Sequence, residues 1–94
     1  MIKEKTLIIR LLNALFPDAK IYLFGSRARG THRSTSDIDL AIDTGHELPF
    51  LEITRARNIL EMLNIPEKID VIDLWAVPSD LKQTILKEGI LWKN

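Results

Sequence analysis

The sequence predicts an α/β fold of the α+β kind: a small mixed β-sheet with helices packed on one face and an acidic face left open. Three observations predict it. Apolar residues recur at helical spacing in three stretches, and shorter apolar or alternating stretches lie between them, in the order α-β-β-α-β-α with a candidate final strand. The stretch Ser36 to Asp43 alternates strictly, with Asp37, Asp39 and Asp43 on one side and Ile38, Leu40 and Ile42 on the other. A further acid, Asp70, stands early in an apolar strand, where an isolated carboxylate needs a reason.

The elements follow in order. Residues 2–16 read as a first helix, with Ile8, Leu11, Leu12, Leu15 and Phe16 on its apolar stripe, ended by Pro17-Asp18. Ala19 to Phe24 is the first strand, and Asp37 to Asp43 the second. The next helix runs from about Pro49 to Leu63, with Ile53, Ala56, Ile59, Leu60 and Leu63 inward and Glu52, Arg55, Arg57 and Glu61 wet. Ile69 to Leu74 is the third strand. Ser79 reads as N-cap of the last helix, Asp80 suits its first turn, and Gly89 is its expected stop. Ile90-Leu91-Trp92 is the candidate final strand, and Trp75 and Trp92 are read as core or as a partner surface.

The chain is organised around Gly25 to Asp43, GSRARGTHRSTSDIDLAID. Alternation sets the Asp37 and Asp39 carboxylates side by side, roughly 6–7 Å apart along a strand. Like charges that close repel, and a shared divalent cation relieves them. Carboxylate oxygens suit Mg²⁺, usually together with phosphate oxygens of a substrate, and phosphoryl or nucleotidyl transfer often uses two such ions. Asp70 is the candidate third carboxylate; Asp73 falls on the opposite face by alternation. Gly25 lets backbone approach a ligand closely. Ser26 offers a hydroxyl and an N–H where a short helix can begin, and Gly30 can close that turn. Arg27, Arg29, His32 and Arg33 crowd the same loop, and arginine suits bidentate phosphate contact. Each feature alone has an ordinary reading, as a turn, a solvated strand face or surface charge. Their combination points to a nucleotide site, with Arg27 or Arg29 adding charge at the phosphates and the roles of His32 and Arg33 left open.

At 94 residues the expectation is one domain spanning 1–94. Apolar residues make up 46% and charged residues 28%, the balance of an ordinary globular protein. Thirteen basic and thirteen acidic residues cancel, which argues against bulk binding of nucleic acid. No cysteine is present, so disulfides and thiolate metal sites are excluded. No signal-peptide pattern and no membrane-length apolar run is visible, and a cytoplasmic protein is expected.

An apolar residue, Gly25-Ser26, a spacer of about ten, then Asp37-x-Asp39 between apolar residues resembles the signature of the DNA polymerase β-like nucleotidyltransferase superfamily, which includes kanamycin nucleotidyltransferase. GSRARG…SDIDLAI is most similar to the minimal nucleotidyltransferases, the small MNT or MntA-like antitoxins of HEPN/MNT toxin–antitoxin systems. The resemblance extends over nearly the whole chain and implies the nucleotidyltransferase palm. It also implies metal ligation by Asp37, Asp39 and Asp70, with Asp70-Val71 matching the family's third acid, and triphosphate binding at Gly25 and Ser26. The implied activity is transfer of AMP from ATP to a tyrosine hydroxyl of a partner HEPN toxin, a helical protein. ATP and tyrosine rest on the resemblance alone.

Two other functions fit the same residues. One is a non-catalytic binding module that neutralises its partner by complex formation; loss of a motif acid would favour it, and all three are present. The other is a transferase acting on a small molecule or an RNA end. The lack of room for an acceptor domain argues against the former, and the neutral charge against the latter. A homo-oligomer is compatible with each of them.

Overall fold

The computed structural model describes residues 2–33 and 36–93. Among them the elements run α1 (Lys5–Leu15), β1 (Lys20–Phe24), α2 (Ser26–Arg29), β2 (Ile38–Asp43), α3 (Phe50–Glu61), β3 (Ile69–Asp73), α4 (Ser79–Glu88) and β4 (Ile90–Lys93). The strands form one mixed sheet in the order β3-β2-β1-β4. β1 is antiparallel to both β2 and β4, whereas β2 and β3 are parallel. A parallel pair needs a crossover, and α3 provides it.

Alternation decides the faces. Ile21, Leu23, Ile38, Leu40, Ile42 and Val71 point to one side, where they pack with Ile8 and Leu12 of α1 and with Ile53, Ala56 and Leu60 of α3. All of these are buried. The other side carries Asp39, Asp70, Tyr22, Phe24, Ala41 and Ile72. Here the expected arrangement changes in one respect. α4 does not join α1 and α3; its buried Ile85 packs with Ala41, Leu74, Tyr22, Phe24 and Ile72. Those five residues make a small apolar patch on the acidic face, and burying it requires a cover. The acidic face is therefore open around Asp39 and Asp70 and roofed beyond them.

Several boundaries shift for local reasons. β2 begins at Ile38 rather than Asp37, because the ladder to β3 opens with the Ile38 N–H donating to the Lys68 carbonyl at 2.8 Å. Pro78, not Ser79, is the N-cap of α4. Its carbonyl accepts from Lys82 N at 3.0 Å, and the Asp80 carboxylate takes the Leu81 N–H at 2.9 Å. Gly89 ends α4 as expected, but in an extended conformation, φ −68° and ψ 152°. Its lack of a side chain matters sterically: a Cβ would collide with the Ile85 carbonyl oxygen. The tryptophans divide. Trp92 packs half-buried against the main core, whereas Trp75 lies on the surface with the Lys82 ammonium 3.2 Å above its ring.

Candidate active site

The parallel pairing of β2 and β3 sets Asp39 directly beside Asp70 in register. Their backbones are thus one strand spacing apart, about 4.8 Å, and both side chains project from the open face. Asp37 is exposed and lies just ahead of β2, on the chain leading into the pair. Asp73 does not belong to this group. It pairs with Ile42 on the apolar face, is 5% exposed, and accepts hydrogen bonds from Leu48 N at 2.7 Å and Trp75 N at 3.0 Å. Asp43 is likewise engaged elsewhere, accepting from Trp75 Nε1 at 2.7 Å and Gly45 N at 2.9 Å.

Asp39 feels its surroundings. The Asp39 carboxyl is held above the usual carboxylate range, first by burial, then by the charges of Asp70 and Asp37; Arg29 and Lys68 oppose the shift. Crowded negative charge on oxygen donors is the environment a hard divalent cation suits, so the donor set fits Mg²⁺. Among the described residues, no three His, Cys, Asp or Glu side chains are already gathered closely enough to hold a metal ion.

Gly25 closes the site from the side of β1. Its φ is +76°, and a Cβ placed on it would come 2.6 Å from Asp39 Oδ2. The turn therefore lays bare backbone against the carboxylate. Ser26 to Arg29 then form the single turn α2, and left-handed Gly30 closes it, donating its N–H to the Ser26 carbonyl. Asp39 is also the register partner of Phe24, the residue before this turn, so turn and acid are locked together.

The loop cations take different places. Arg27 is a latch: its guanidinium donates to the Ser36 carbonyl at 3.0 and 3.3 Å and pairs with Glu67 at 3.9 Å, with 8% of its side chain exposed. Arg29 faces outward, 53% exposed and 3.9 Å from Glu88, and its charge reaches Asp39. His32 lines a cavity of about 260 Å³ with Ile2, Lys5, Leu23, Arg27, Ile90 and Trp92, among which no site acid appears. Arg33 is exposed, and its N–H donates to Ser36 Oγ at 2.9 Å.

One residue escaped the sequence reading. Arg57 of α3, expected on the wet side, reaches β3, donates from Nε to the Val71 carbonyl at 2.8 Å and lies 3.8 Å from Asp70 Oδ1. The signal was there, since Arg57 follows Ile53 by four residues and precedes Leu60 by three, on the inward stripe.

Known proteins are similar to this chain in sequence and in fold. The family model described as "Polymerase beta, Nucleotidyltransferase" matches residues 7–93. "Probable protein adenylyltransferase MntA" of Haemophilus influenzae is 31% identical over 86 residues, 92% of this chain and 75% of that one. "Protein adenylyltransferase MntA" of Shewanella oneidensis is 34% identical over 86 residues, 87% of this chain and 59% of that one. Among solved structures, a chain of a toxin–antitoxin crystal structure with AMP-PNP superposes with TM-score 0.77 at 29% identity, covering 94% of this chain and 71% of that one. A chain from the tri-AMPylated Shewanella oneidensis HEPN toxin in complex with MNT antitoxin gives 0.71 at 25% identity, covering 95% and 68%. With the motif, the sheet and these likenesses in agreement, the chain belongs to the polymerase β nucleotidyltransferase family.

Proposed function

We propose that this nucleotidyltransferase is a Mg²⁺-dependent protein adenylyltransferase, moving AMP from ATP to a tyrosine hydroxyl of a helical HEPN-type toxin and so acting as its antitoxin. The observation that carries the reading is the in-register pair Asp39–Asp70 with bare Gly25 backbone against Asp39. The relatives named above lend it support, being protein adenylyltransferases by name or coming from structures with AMP-PNP and with an AMPylated HEPN toxin.

In this reading Asp37, Asp39 and Asp70 would hold Mg²⁺, with Asp39 and Asp70 the in-register pair. Bound Mg²⁺ supplies charge neutralisation at the phosphates and lowers the pKa of the acceptor hydroxyl. Gly25 and Ser26 give backbone to the β- and γ-phosphates, and Arg29 adds positive charge there. Asp70, beside the acceptor, takes the hydroxyl proton as the oxygen attacks the α-phosphorus and pyrophosphate leaves. Arg27 serves by holding the loop between α2 and β2 against Glu67 rather than by contacting phosphate. Among the described residues no helix is long and apolar enough to cross a membrane, and the location proposed with ATP and a toxin as substrates is the cytoplasm.

The test is the intact mass of a HEPN-type partner after incubation with this chain, ATP and Mg²⁺. A gain of one or more AMP units, absent with Asp39→Asn, is the expected result. A tight complex with no mass gain would replace catalysis by neutralisation through binding alone.

A further inference from the structure

We infer that Arg57 is a resting catch for Asp70, drawing this carboxylate away from Asp39 until a cation takes it over. The inference rests on the metal reading of the acidic pair given above and adds a residue to it.

The geometry begins with strand order. Among the described residues β3 is an edge strand, paired on one side with β2. The Lys68 carbonyl accepts from Ile38 N at 2.8 Å, and Leu74 N donates to the Ile42 carbonyl at 2.9 Å. Even-numbered residues of this stretch therefore bond inward to β2, and the Val71 backbone points outward from the sheet. Arg57 satisfies that outward carbonyl through Nε at 2.8 Å, which anchors its charge on the open edge. From there it stands 3.8 Å from Asp70 Oδ1. Asp39 lies across β3 on the β2 side. Asp70 thus has a cation on one flank and a like charge on the other, and both forces act in the same direction, away from Asp39.

A metal shared by Asp39 and Asp70 has to reverse that displacement. Because the Arg57 Nε stays bonded to Val71, the guanidinium does not follow Asp70 inward; it gives the carboxylate up. Arg57 therefore opposes cation binding at the Asp39–Asp70 position while leaving Asp37 untouched. It keeps Asp70 parked when the site is empty and hands it over when the site is charged. Arg57 is a positioning residue, acting through Asp70.

Two measurements test this, both with metal alone. Mn²⁺ binding to the full chain, read by electron paramagnetic resonance, is expected to tighten in Arg57→Gln by about two- to fivefold, the range a half-exposed ion pair is worth. Glutamine retains an N–H for Val71, and Arg57→Lys, which keeps the charge, is expected to bind as the parent does. Unchanged or weaker Mn²⁺ binding in Arg57→Gln overturns the inference. In the isotope-labelled parent, Mg²⁺ is expected to shift the Arg57 Nε–H resonance as Asp70 leaves it; a resonance that stays put while Asp39 responds overturns it independently of any variant. A parent chain whose Mn²⁺ binding is insensitive to Asp39→Asn removes instead the metal reading beneath it.

Discussion

Gly25 and Asp39 meet so closely that a single methyl group would part them: a Cβ on Gly25 falls 2.6 Å from Asp39 Oδ2, at a backbone φ of +76°. Gly25→Ala therefore acts twice. With ψ at −154° the backbone lies in a positive-φ region that is essentially glycine's own, where a side chain costs about 1–3 kcal/mol, and the carboxylate must rotate off its position. The expected outcome is a modest loss of stability in denaturant titration and a much larger loss of nucleotidyl transfer. Transfer falling only in proportion to stability would mean that Asp39 tolerates the displacement.

The raised Asp39 carboxyl makes stability depend on pH in a defined sense. A group whose folded pKa lies above its unfolded value contributes stability that is complete below the unfolded pKa and is lost as pH rises through the folded one. Without metal, this contribution is expected to fade from the ordinary Asp range upward. Asp39→Asn removes the dependence and is expected to melt at the same temperature as the parent or higher at neutral pH, while transferring no AMP. Melting curves across pH, with the variant alongside, decide it.

Ile85 is the buried anchor by which α4 roofs part of the acidic face. Truncation to alanine is expected to cost about 2–5 kcal/mol, the usual range for a buried isoleucine. Because Ala41 and Phe24 line the same patch, amide exchange in β1 and β2 should rise together with exchange in α4. Confinement of the change to α4 would show that the helix is a separable cover.

Arg27 holds the Ser36 carbonyl one residue ahead of Asp37. Arg27→Met keeps much of the stem and discards the fork. Its expected signature is faster amide exchange at Asp37 and Ile38, with reduced transfer and a nearly unchanged affinity for ATP. A large rise in the KM for ATP with unchanged exchange would assign Arg27 to the phosphates after all.

The motif and the alternation made the site's residue types and the sheet's composition legible. Asp37, Asp39, Gly25 and Ser26 are close in sequence, so local period and turn chemistry place them. Asp70 was reached by alternation, which separates it from Asp73, and by the match of Asp70-Val71 to the third acid of the resembled family; the structure sets it beside Asp39. What escaped depended on strand order. Helical spacing puts Arg57 on the inward stripe of α3, but nothing local says that β3 is an edge strand with an outward carbonyl for it to reach. Nor does helical spacing say which face of a sheet a helix covers, and α4 went to the other one. Arg27 and Arg29 look alike in sequence; only the folded loop separates the latch from the exposed cation.

The buried carboxylate of Asp73 fixes more than a corner. By bonding Leu48 N ahead of α3 and Trp75 N after β3, it pegs the strand at one step along its neighbour. A slip of one residue would turn Val71 outward and Asp70 into the apolar core. Asp39 and Asp70 are thirty-one positions apart in the chain, and no local geometry makes them neighbours. An acid on the reverse side of the same strand, tied to the chain that leads from β2 into α3, favours the one register in which they face each other.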